Sequence, residues 1–413
     1  MRIERVDDRV GRPEIRAEVG EQVRDILEEV RASGDEAVLR LTERFDRAEL
    51  GPEQLRVDPR ELEASVGSLE PDVLRGLRTA IANVRAVVQA QEREPVEVQL
   101  EQGQCVEIVE VPLRRAAIYV PGGRAPYPST VVMGAVTARA AGVDQIVVCA
   151  PPGPEGRAHP VILAASVLCE VTEVYRMGGA QAIAALAYGT ASVRPVDVIA
   201  GPGNAWVQEA KRQVAFTEVG IDGVAGPSEL AVIADGPGVD PEAVALDLLA
   251  QAEHGEDSPL WLFAPENALR EAIVAAVERL AQKRPSAANA VLQVSGAEGE
   301  EALRMVEELA PEHLELVGER AEKLAPRVRR AGCLFVGAGA GTAFGDYVAG
   351  SNHILPTGGA ARFQSALSAA TFRRRMARVS LPGGAPGRLA PAGAALARAE
   401  GFPVHAESME RRA

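Results

Sequence analysis

The chain has 413 residues, a length that predicts two or more domains, and its 47% hydrophobic and 25% charged residues are typical of a globular protein. The net charge of −14 argues against nucleic acid or an anionic membrane as the partner, and 4% aromatic residues argue against stacking platforms for bases. Charged residues between Met1 and Asp8 are unlike the apolar core of a signal peptide, and no apolar run approaches the roughly 18 residues of a membrane span, so we expect a cytoplasmic location.

The N-terminal part of the chain is predicted to form helices followed by two strands. Apolar residues at helical spacing predict helices over 14–47 and about 70–92. Alternating residues at 106–111 predict a half-buried strand, and the apolar run 116–120 predicts a strand that ends in a glycine turn. We expect a further helix from about 130 to 142.

Strands and helices then alternate along most of the remaining chain. The predicted strands cover 145–150, 174–177, 197–200, 230–234, 260–263 and 333–336. The predicted helices lie near 160–169, 180–187, 204–214, 240–253, 266–282, 300–310 and 320–330. This alternation is typical of parallel sheets with helices on both faces, so we predict a doubly wound α/β fold.

The C-terminal part of the chain has a different composition. Three arginines at 373–375 and a Pro/Gly-rich stretch at 382–387 predict a linker. We expect an Ala-rich helix over 390–400 and a short tail over 401–413. The tail is too short to fold alone, so we expect it to dock on another surface, and it carries His405.

A polar pair ends the apolar helix predicted over 240–253. Gln251 and His254 are three residues apart, so on a helix they share one face and can hold one ion between them. An oxygen and nitrogen ligand set without cysteine suits Zn²⁺, Mn²⁺ or Co²⁺. By itself such a pair is more often a helix end than a metal site, so the surrounding residues must decide.

The usual dinucleotide-binding fingerprint is absent from the sequence. The glycine-rich run 336–342 follows a predicted strand, but G-x-G-x-x-G requires a glycine where Thr342 stands. Tyr119, Gln181 and Asn204 each lie just past a predicted strand, where open α/β sheets bind ligands. All three can contact a nucleotide, and the alternative for each is an ordinary polar residue of a loop.

Acidic residues accompany two further histidines. Glu312 and His313 follow a proline, and one side chain can activate a water while the other moves a substrate proton. The alternative is the start of a surface helix, where proline followed by an acid is common. Asp346 and His353 lie in a glycine-rich loop that offers no packing reason for a histidine, so a ligand role and a plain loop position are both open.

Together these motifs resemble those of the histidinol dehydrogenase family, in the same order and spacing along nearly the whole chain. The matching stretches are Tyr119-Val120-Pro121-Gly122-Gly123, Gly178-Gly179-Ala180-Gln181-Ala182-Ile183, Gly201-Pro202-Gly203-Asn204, Ala225-Gly226-Pro227-Ser228-Glu229, Gln251-Ala252-Glu253-His254-Gly255, Pro311-Glu312-His313, Gly345-Asp346-Tyr347 and His353-Ile354-Leu355-Pro356-Thr357-Gly358-Gly359.

The resemblance implies an α/β protein with two Rossmann-like doubly wound domains that lack the GxGxxG fingerprint, plus small N- and C-terminal helical segments. The implied parts are 14–118 with 229–367 as the first domain (metal and catalytic residues), 119–228 as the second (NAD contacts), 1–13 with 368–393 as a small linker or dimerisation domain, and 394–413 as the tail. In the family this tail reaches into the partner's active site, which implies a homodimer with shared sites.

The resemblance also implies a role for each site residue. One zinc ion per subunit would be held by Gln251, His254, Asp346 and His405. NAD would contact Tyr119, Gln181 and Asn204. The substrate, L-histidinol, would lie near Ser228, Gln251, His254, His313, Asp346, His353, Glu400 and His405.

The implied reaction oxidises L-histidinol to L-histidinal and then to L-histidine with two NAD⁺, as the last step of histidine biosynthesis. His313 would be the base that removes the hydroxyl proton, and it would serve again in the second oxidation. Glu312 would activate the water that attacks the aldehyde. Zinc is redox-inert and would hold the imidazole and the amine of the substrate.

Two other functions remain open from the sequence. A relative in the same superfamily oxidises other small alcohols, such as sulfonated diols, with the same metal and NAD machinery. His353 and Glu400 favour histidinol over those substrates. A non-catalytic paralogue that only binds a nucleotide or metal would be expected to lose a catalytic group, and Glu312 and His313 are both present.

Overall fold

The structure, a computed structural model, describes residues 1–6, 19–92, 94–122, 125–287 and 289–413. The predicted helical residues 14–18, and residues 7–13 of the predicted N-terminal segment, lie outside the described residues. The strands are β1 (Arg2–Arg5), β2 (Val96–Gln99), β3 (Cys105–Pro112), β4 (Arg115–Tyr119), β5 (Gln145–Ala150), β6 (Glu173–Arg176), β7 (Val198–Ala200), β8 (Gly220–Ile221), β9 (Leu230–Ala234), β10 (Pro259–Phe263), β11 (Val291–Ser295), β12 (His313–Val317), β13 (Cys333–Val336) and β14 (Arg373–Ser380).

The described residues also form fifteen α-helices. They are α1 (Gly20–Ser33), α2 (Asp35–Asp46), α3 (Pro59–Ala64), α4 (Pro71–Gln89), α5 (Pro128–Ala140), α6 (Pro160–Leu168), α7 (Gly179–Tyr188), α8 (Ala205–Val214), α9 (Pro241–Ala252), α10 (Asn267–Ala281), α11 (Gly299–Leu309), α12 (Glu319–Glu322), α13 (Thr342–Tyr347), α14 (Ala385–Ala399) and α15 (Pro403–Glu410). Two compact units contain them: Met1–Ala90 with Arg114–Phe372, and Gln91–Leu113 with Arg373–Ala413. Among the described residues no helix combines the length and the apolar composition needed to cross a membrane.

A five-stranded parallel sheet in the first unit has the order β6-β5-β4-β7-β8. Counted along its own strands this order is 3-2-1-4-5, which is that of a Rossmann-type sheet. Apolar residues of α1, α2 and α7, such as Val23, Leu41 and Ile183, form one core with β4 and β7. Helices α1 and α2 therefore pack on this sheet, whereas the sequence analysis grouped residues 14–118 with 229–367.

A six-stranded parallel sheet, also in the first unit, has the order β1-β11-β10-β9-β12-β13. Strands β9 to β13 repeat the 3-2-1-4-5 order, and β1 extends the edge beside β11. Successive residues of β9 face opposite sides: Leu230 and Val232 pack with α9 and α10, while Ala231 and Ile233 pack with α11. A strand buried on both faces must be apolar throughout, which explains its unbroken apolar sequence. The two parallel sheets and their helices confirm the predicted α/β fold.

The second unit contains a three-stranded antiparallel sheet, β14-β3-β2, and helices α14 and α15. Strand β14 pairs with β3 along its whole length, and Arg375 and Arg378 form ion pairs with Glu110 and Glu107 of β3, at 3.3 Å and 3.2 Å. The prediction of a linker at 373–375 is therefore wrong. Most side chains of β14 are exposed to solvent, so the strand has the polar composition of a linker and lacks the apolar residues of a buried strand.

Two other predicted elements differ from the structure. The helix expected over 320–330 is reduced to α12 and a 3₁₀ turn at Ala325–Arg327, because Pro326 cannot continue the α-helical hydrogen bonding. The glycine-rich stretch 382–387 is not a separate linker, since α14 already begins at Ala385. Strands β1, β2, β8, β11, β12 and β14 were not predicted.

Candidate active site

Polar side chains gather at the amino ends of two neighbouring strands, β9 and β12. The register pairs His313 with Leu230, the first residues of these strands. Ser228 and Glu229, which precede β9, therefore lie beside Glu312, which precedes β12. The site stands on two central strands of the six-stranded sheet, where the backbone is held by hydrogen bonds on both sides.

The local sequence explains how Glu312 and His313 enter this position. Helix α11 ends at Leu309, the C-cap Ala310 turns the chain with a left-handed φ of 44°, and Pro311 prevents the helix from continuing. The chain then enters β12 at His313. The alternative reading of Glu312-His313 as the start of a surface helix is therefore wrong.

A chain of hydrogen bonds holds the carboxylate of Glu312. Gln251 Nε2 donates to Ser228 Oγ at 2.5 Å, and Ser228 Oγ donates to Glu312 Oε2 at 2.5 Å. The backbone N–H of Glu229 donates to the same oxygen at 2.8 Å. Since Glu312 is only 5% exposed and Gln251 1%, this network lies inside the protein.

The ring of His313 is oriented from both sides. Nδ1 lies 3.0 Å from the carbonyl oxygen of Glu229, so this nitrogen carries a hydrogen and donates it. Nε2 lies 3.7 Å from Asp346 Oδ1, and Nδ1 lies 3.6 Å from Glu312 Oε2. In the neutral ring Nε2 is then the nitrogen with a lone pair, and it faces Asp346.

Burial and neighbouring charges act in opposite directions on the pKa values of His313, Glu312 and Asp346. Burial lowers the pKa of His313, but the carboxylates of Glu312 and Asp346 outweigh it and raise that pKa to about 9. Burial raises the pKa of Glu312 above its ordinary value, although His313 acts in the opposite direction. Burial would also raise the pKa of Asp346, but its hydrogen bond and charge interaction with His313 hold that pKa below its ordinary value.

Three of the four predicted zinc ligands lie next to this acid–base pair. His254 Nε2 is 3.9 Å from Asp346 Oδ2, and two atoms bound to one zinc ion at about 2.0–2.2 Å each lie within roughly 4.4 Å of one another. Gln251 uses its amide N–H in the bond to Ser228, so its amide oxygen is the atom that can ligate. Within the described residues no group of three His, Cys, Asp or Glu side chains converges to hold a metal, so the zinc site stays a prediction.

His353 connects the loop after α13 to helix α5. Its Nδ1 lies 2.8 Å from the backbone oxygen of Asp346, and its Nε2 lies 3.3 Å from Thr130 Oγ1. Burial lowers the pKa of His353, which favours the neutral ring. The structure thus brings His353 to the residues predicted to bind substrate and adds Thr130, which the sequence analysis missed.

The residues predicted to contact NAD lie at the carboxyl ends of the five-stranded sheet. Tyr119 ends β4, and its hydroxyl accepts a hydrogen bond from the N–H of Gly179 at 3.1 Å. Gln181 is 1% exposed, and neither atom of its amide has a hydrogen-bond partner among the described residues. A buried amide without a partner is costly, so its position fits a polar ligand such as a dinucleotide.

Asn204 follows β7 and caps helix α8. Its Oδ1 accepts hydrogen bonds from the N–H groups of Trp206 and Val207, each at 3.1 Å. This cap satisfies two N–H groups of the first turn and leaves the amide N–H₂ of Asn204 for other contacts. The loop position and the predicted cofactor contact are therefore compatible.

A buried ion pair holds the loop that carries Asn204. Lys211 and Asp222 are 1% and 8% exposed in their side chains and contact each other closely. Lys211 Nζ donates to the carbonyl oxygen of Gly201 at 3.0 Å, while Asp222 Oδ2 accepts from the N–H of Gly201 at 2.8 Å. Both backbone groups of the first loop residue are thereby occupied.

Glu400 and His405 belong to the second unit. Glu400 follows the last residue of α14, and His405 lies in α15, with its ring 5.2 Å from that of Phe402. Helices α14 and α15 pack through small apolar residues, and Arg398 pairs with Glu410 at 2.8 Å. Their predicted roles in the active site stay predictions.

Glu229 is a site residue that the sequence analysis did not assign. Its backbone oxygen orients His313, and its carboxylate accepts from the N–H groups of Glu312 at 3.2 Å and Gly358 at 3.0 Å. Glu229 is 1% exposed. The only signal in the sequence was its place beside Ser228, directly before an apolar strand, which does not reveal a backbone contact.

Two doubly wound parallel sheets and a buried carboxylate–imidazole pair make this an α/β protein with an acid–base site, and comparisons with known proteins identify its family as one of oxidoreductases. The sequence matches the family model of histidinol dehydrogenase over residues 11–413. It is 43% identical over 403 residues to histidinol dehydrogenase of Gluconobacter oxydans, covering 95% of this chain and 93% of that one. It is 45% identical over 397 residues to the enzyme of Cereibacter sphaeroides, covering 94% and 91%. A crystal structure of histidinol dehydrogenase from Elizabethkingia anophelis superposes with a TM-score of 0.93 at 30% identity, covering 99% of this chain and 97% of that one. The chain belongs to the histidinol dehydrogenase family, which confirms the resemblance seen in the sequence.

Proposed function

We propose that this chain oxidises L-histidinol through L-histidinal to L-histidine, with two NAD⁺ and one zinc ion per subunit, as the last step of histidine biosynthesis. The observation that carries the proposal is the buried pair Glu312 and His313, two groups of different proton affinity that face the predicted metal ligands. An alcohol-to-acid oxidation needs a base in both of its stages, and a carboxylate and an imidazole at one site meet that need.

The residues of the first unit fit the two groups that the reaction requires. Gln251, His254 and Asp346 would hold zinc, and Tyr119, Gln181 and Asn204 would contact NAD. When bound, zinc would hold the imidazole and the amine of the substrate, while NAD⁺ would accept a hydride in each oxidation.

His313 would remove the hydroxyl proton of the alcohol. The hydrogen bond from Nδ1 to the Glu229 carbonyl leaves Nε2 as the atom that accepts this proton. The nearby carboxylates hold the pKa of His313 high, and a cation at Asp346 would offset part of their charge and favour the neutral ring that a base requires.

Glu312 would accept a proton from the water that attacks the aldehyde. Ser228 and the backbone N–H of Glu229 both bond to Oε2, so the carboxylate is held in one orientation. Burial raises the pKa of Glu312, which makes it a stronger base once it is ionised. His313 would then serve again in the second oxidation.

We also propose that the chain acts in the cytoplasm as a homodimer with shared active sites. The tail, residues 394–413, would complete the site of the partner subunit and bring Glu400 and His405 to the substrate and the metal. Phe402 and Val404, exposed by 52% and 72%, would lie at that contact. The tail is short and apolar in part, which supports a docking role.

The first experiment measures NADH formed per L-histidinol consumed by the purified full chain, with and without a chelator. We expect two NADH per histidinol, loss of turnover on chelation, and recovery on addition of Zn²⁺. The Glu312→Gln variant should keep the first oxidation and slow the second by about 10²–10⁴-fold, the usual contribution of a general base. Glu301→Gln, an exposed acid on α11, is the matched control and should behave as the parent.

Two results would change the assignment. If Glu312→Gln formed histidine at the rate of the parent, Glu312 would not be the base that activates water. If the zinc-loaded chain did not oxidise histidinol, it would be a dehydrogenase of another small alcohol, such as a sulfonated diol, or a non-catalytic paralogue, and turnover of such alcohols would distinguish the two.

A further inference from the structure

A small cavity lies beside β12, further along this strand than the candidate active site. Its volume is about 20 Å³, more than the roughly 10–15 Å³ that one water-sized ligand requires. Three acidic residues line it: Asp240, whose side chain caps α9, Asp247 of α9 and Glu315 of β12. The glycine-rich loop 337–341 that follows β13 also lines the cavity. The candidate active site uses the amino end of β12, whereas this cavity reaches Val317 at its carboxyl end.

Glu315 has a carboxylate oxygen that the protein does not satisfy. The residue is 1% exposed, and its Oε1 accepts a hydrogen bond from the N–H of Thr342 at 2.7 Å. Its Oε2 is buried and has no hydrogen-bond partner among the described residues. Burying a carboxylate oxygen without a hydrogen-bond partner is unfavourable, so this atom indicates a ligand in the cavity.

Asp247 adds a second carboxylate, and Gly341 makes room for it. A Cβ at position 341 would lie only 2.7 Å from Asp247 Oδ1, so a side chain there would displace the carboxylate from the loop. Burial raises the pKa of both acids, and the charge of Asp247 raises that of Glu315 further. Ionising both acids is therefore unfavourable in the protein alone, and a positive charge between the two side chains would favour the ionised pair.

We propose that Asp247 and Glu315 bind a hard divalent cation of the Ca²⁺ or Mn²⁺ class in this cavity. The side-chain ligands that line the cavity are carboxylates, without imidazole or thiolate, and carboxylate oxygens select hard cations over zinc. This site is separate from the predicted zinc site, whose ligands include His254.

The position of the cation gives it a structural role. Helix α9 carries both Asp247 and Gln251, one turn apart, and strand β12 carries both Glu315 and His313, two residues apart. A cation held by Asp247 and Glu315 would fasten α9 to β12. It would thereby support the two elements that place Gln251 and His313 in the active site.

Equilibrium dialysis of ⁴⁵Ca²⁺ against the zinc-loaded full chain tests the proposal without measuring turnover. We expect one Ca²⁺ per subunit in the parent and none in Glu315→Gln or Asp247→Asn, with the zinc content unchanged. Glu242→Gln is the matched control, because Glu242 lies on the same helix but is exposed and pairs with Arg279 at 3.0 Å. This variant should bind Ca²⁺ as the parent does.

A second measurement does not depend on the folding of any variant. Crystals of the parent soaked in Mn²⁺ should give an anomalous peak about 2.0–2.6 Å from both carboxylates. The proposal is overturned if the parent binds no Ca²⁺ and shows no such peak, and the two acids then share a proton. It is equally overturned if both carboxylate variants bind as much Ca²⁺ as the parent.

Discussion

Gly201 is the residue where a single added methyl group should do the most damage to the predicted cofactor loop. Its φ of +126° is a conformation that L-residues rarely adopt, and a Cβ there would lie 2.1 Å from the carbonyl oxygen of Tyr119. That oxygen belongs to the backbone of a central strand and cannot move aside. Gly201→Ala therefore adds a backbone clash to the conformational strain.

The size of the effect follows from these two contributions. Left-handed backbone costs an L-residue about 1–2 kcal/mol, and overpacking of a buried position costs about 1–3 kcal/mol. We therefore expect Gly201→Ala to lose about 2–5 kcal/mol of the free energy of unfolding. Gly238→Ala is the matched control, because the φ of Gly238 is +89° and nothing lies within 4 Å of the added Cβ. This variant should lose only the contribution of the left-handed backbone, about 1–2 kcal/mol.

Urea unfolding followed by far-UV circular dichroism measures both losses, and the KM for NAD⁺ measures the effect on the loop. We expect a raised KM in Gly201→Ala and an unchanged KM in Gly238→Ala. Equal losses of stability in the two variants would refute the reasoning, because the contact with Tyr119 would then contribute nothing.

The remaining predictions concern two buried ion pairs of the five-stranded sheet. Lys211→Met should cost about 3–5 kcal/mol of the free energy of unfolding in urea titrations, because it leaves the Asp222 carboxylate buried without its partner. The double variant Lys211→Met with Asp222→Leu should recover most of that loss, and a double variant as unstable as the single one would contradict this. Burial raises the pKa of Glu173, but hydrogen bonds and charge from Arg115 outweigh it and hold that pKa at about 2. Because the folded-state pKa is depressed, this contribution is complete above the unfolded value of about 4.3 and is lost as the pH falls towards 2. Urea midpoints of the parent and Glu173→Gln should therefore converge between those pH values, and a constant difference would count against the ion pair.

Sequence patterns predicted the elements that are defined by local composition. The apolar runs that became Gln145–Ala150, Leu230–Ala234 and Cys333–Val336 were predicted with the bounds that the structure has. The first two are buried on both faces, which explains their unbroken apolar sequences. The exposed strand Arg373–Ser380 was missed, since its partners Glu107 and Glu110 lie far away in the chain. Pairing over such a distance leaves no periodic signal in either segment.

In the candidate site, too, residue types could be predicted from the sequence, whereas contacts between distant segments could not. Glu312 and His313 were singled out by residue type, but nothing in the local sequence indicated that they open a strand. Glu229 acts on His313 mainly through a backbone oxygen, which every residue has, so its residue type could not reveal the contact. The unsatisfied oxygen of Glu315 likewise depends on packing that only the folded chain provides.

The two parallel sheets share one strand order but place their polar residues at opposite edges. Tyr119 is the last residue of its strand and lies at the carboxyl edge of the five-stranded sheet. His313 is the first residue of its strand and lies at the amino edge of the six-stranded sheet. Superposing one half of the molecule on the other would therefore not bring the acid–base pair onto the residues predicted to contact NAD. Equivalent positions in the two halves should differ in role even though the strand order is the same.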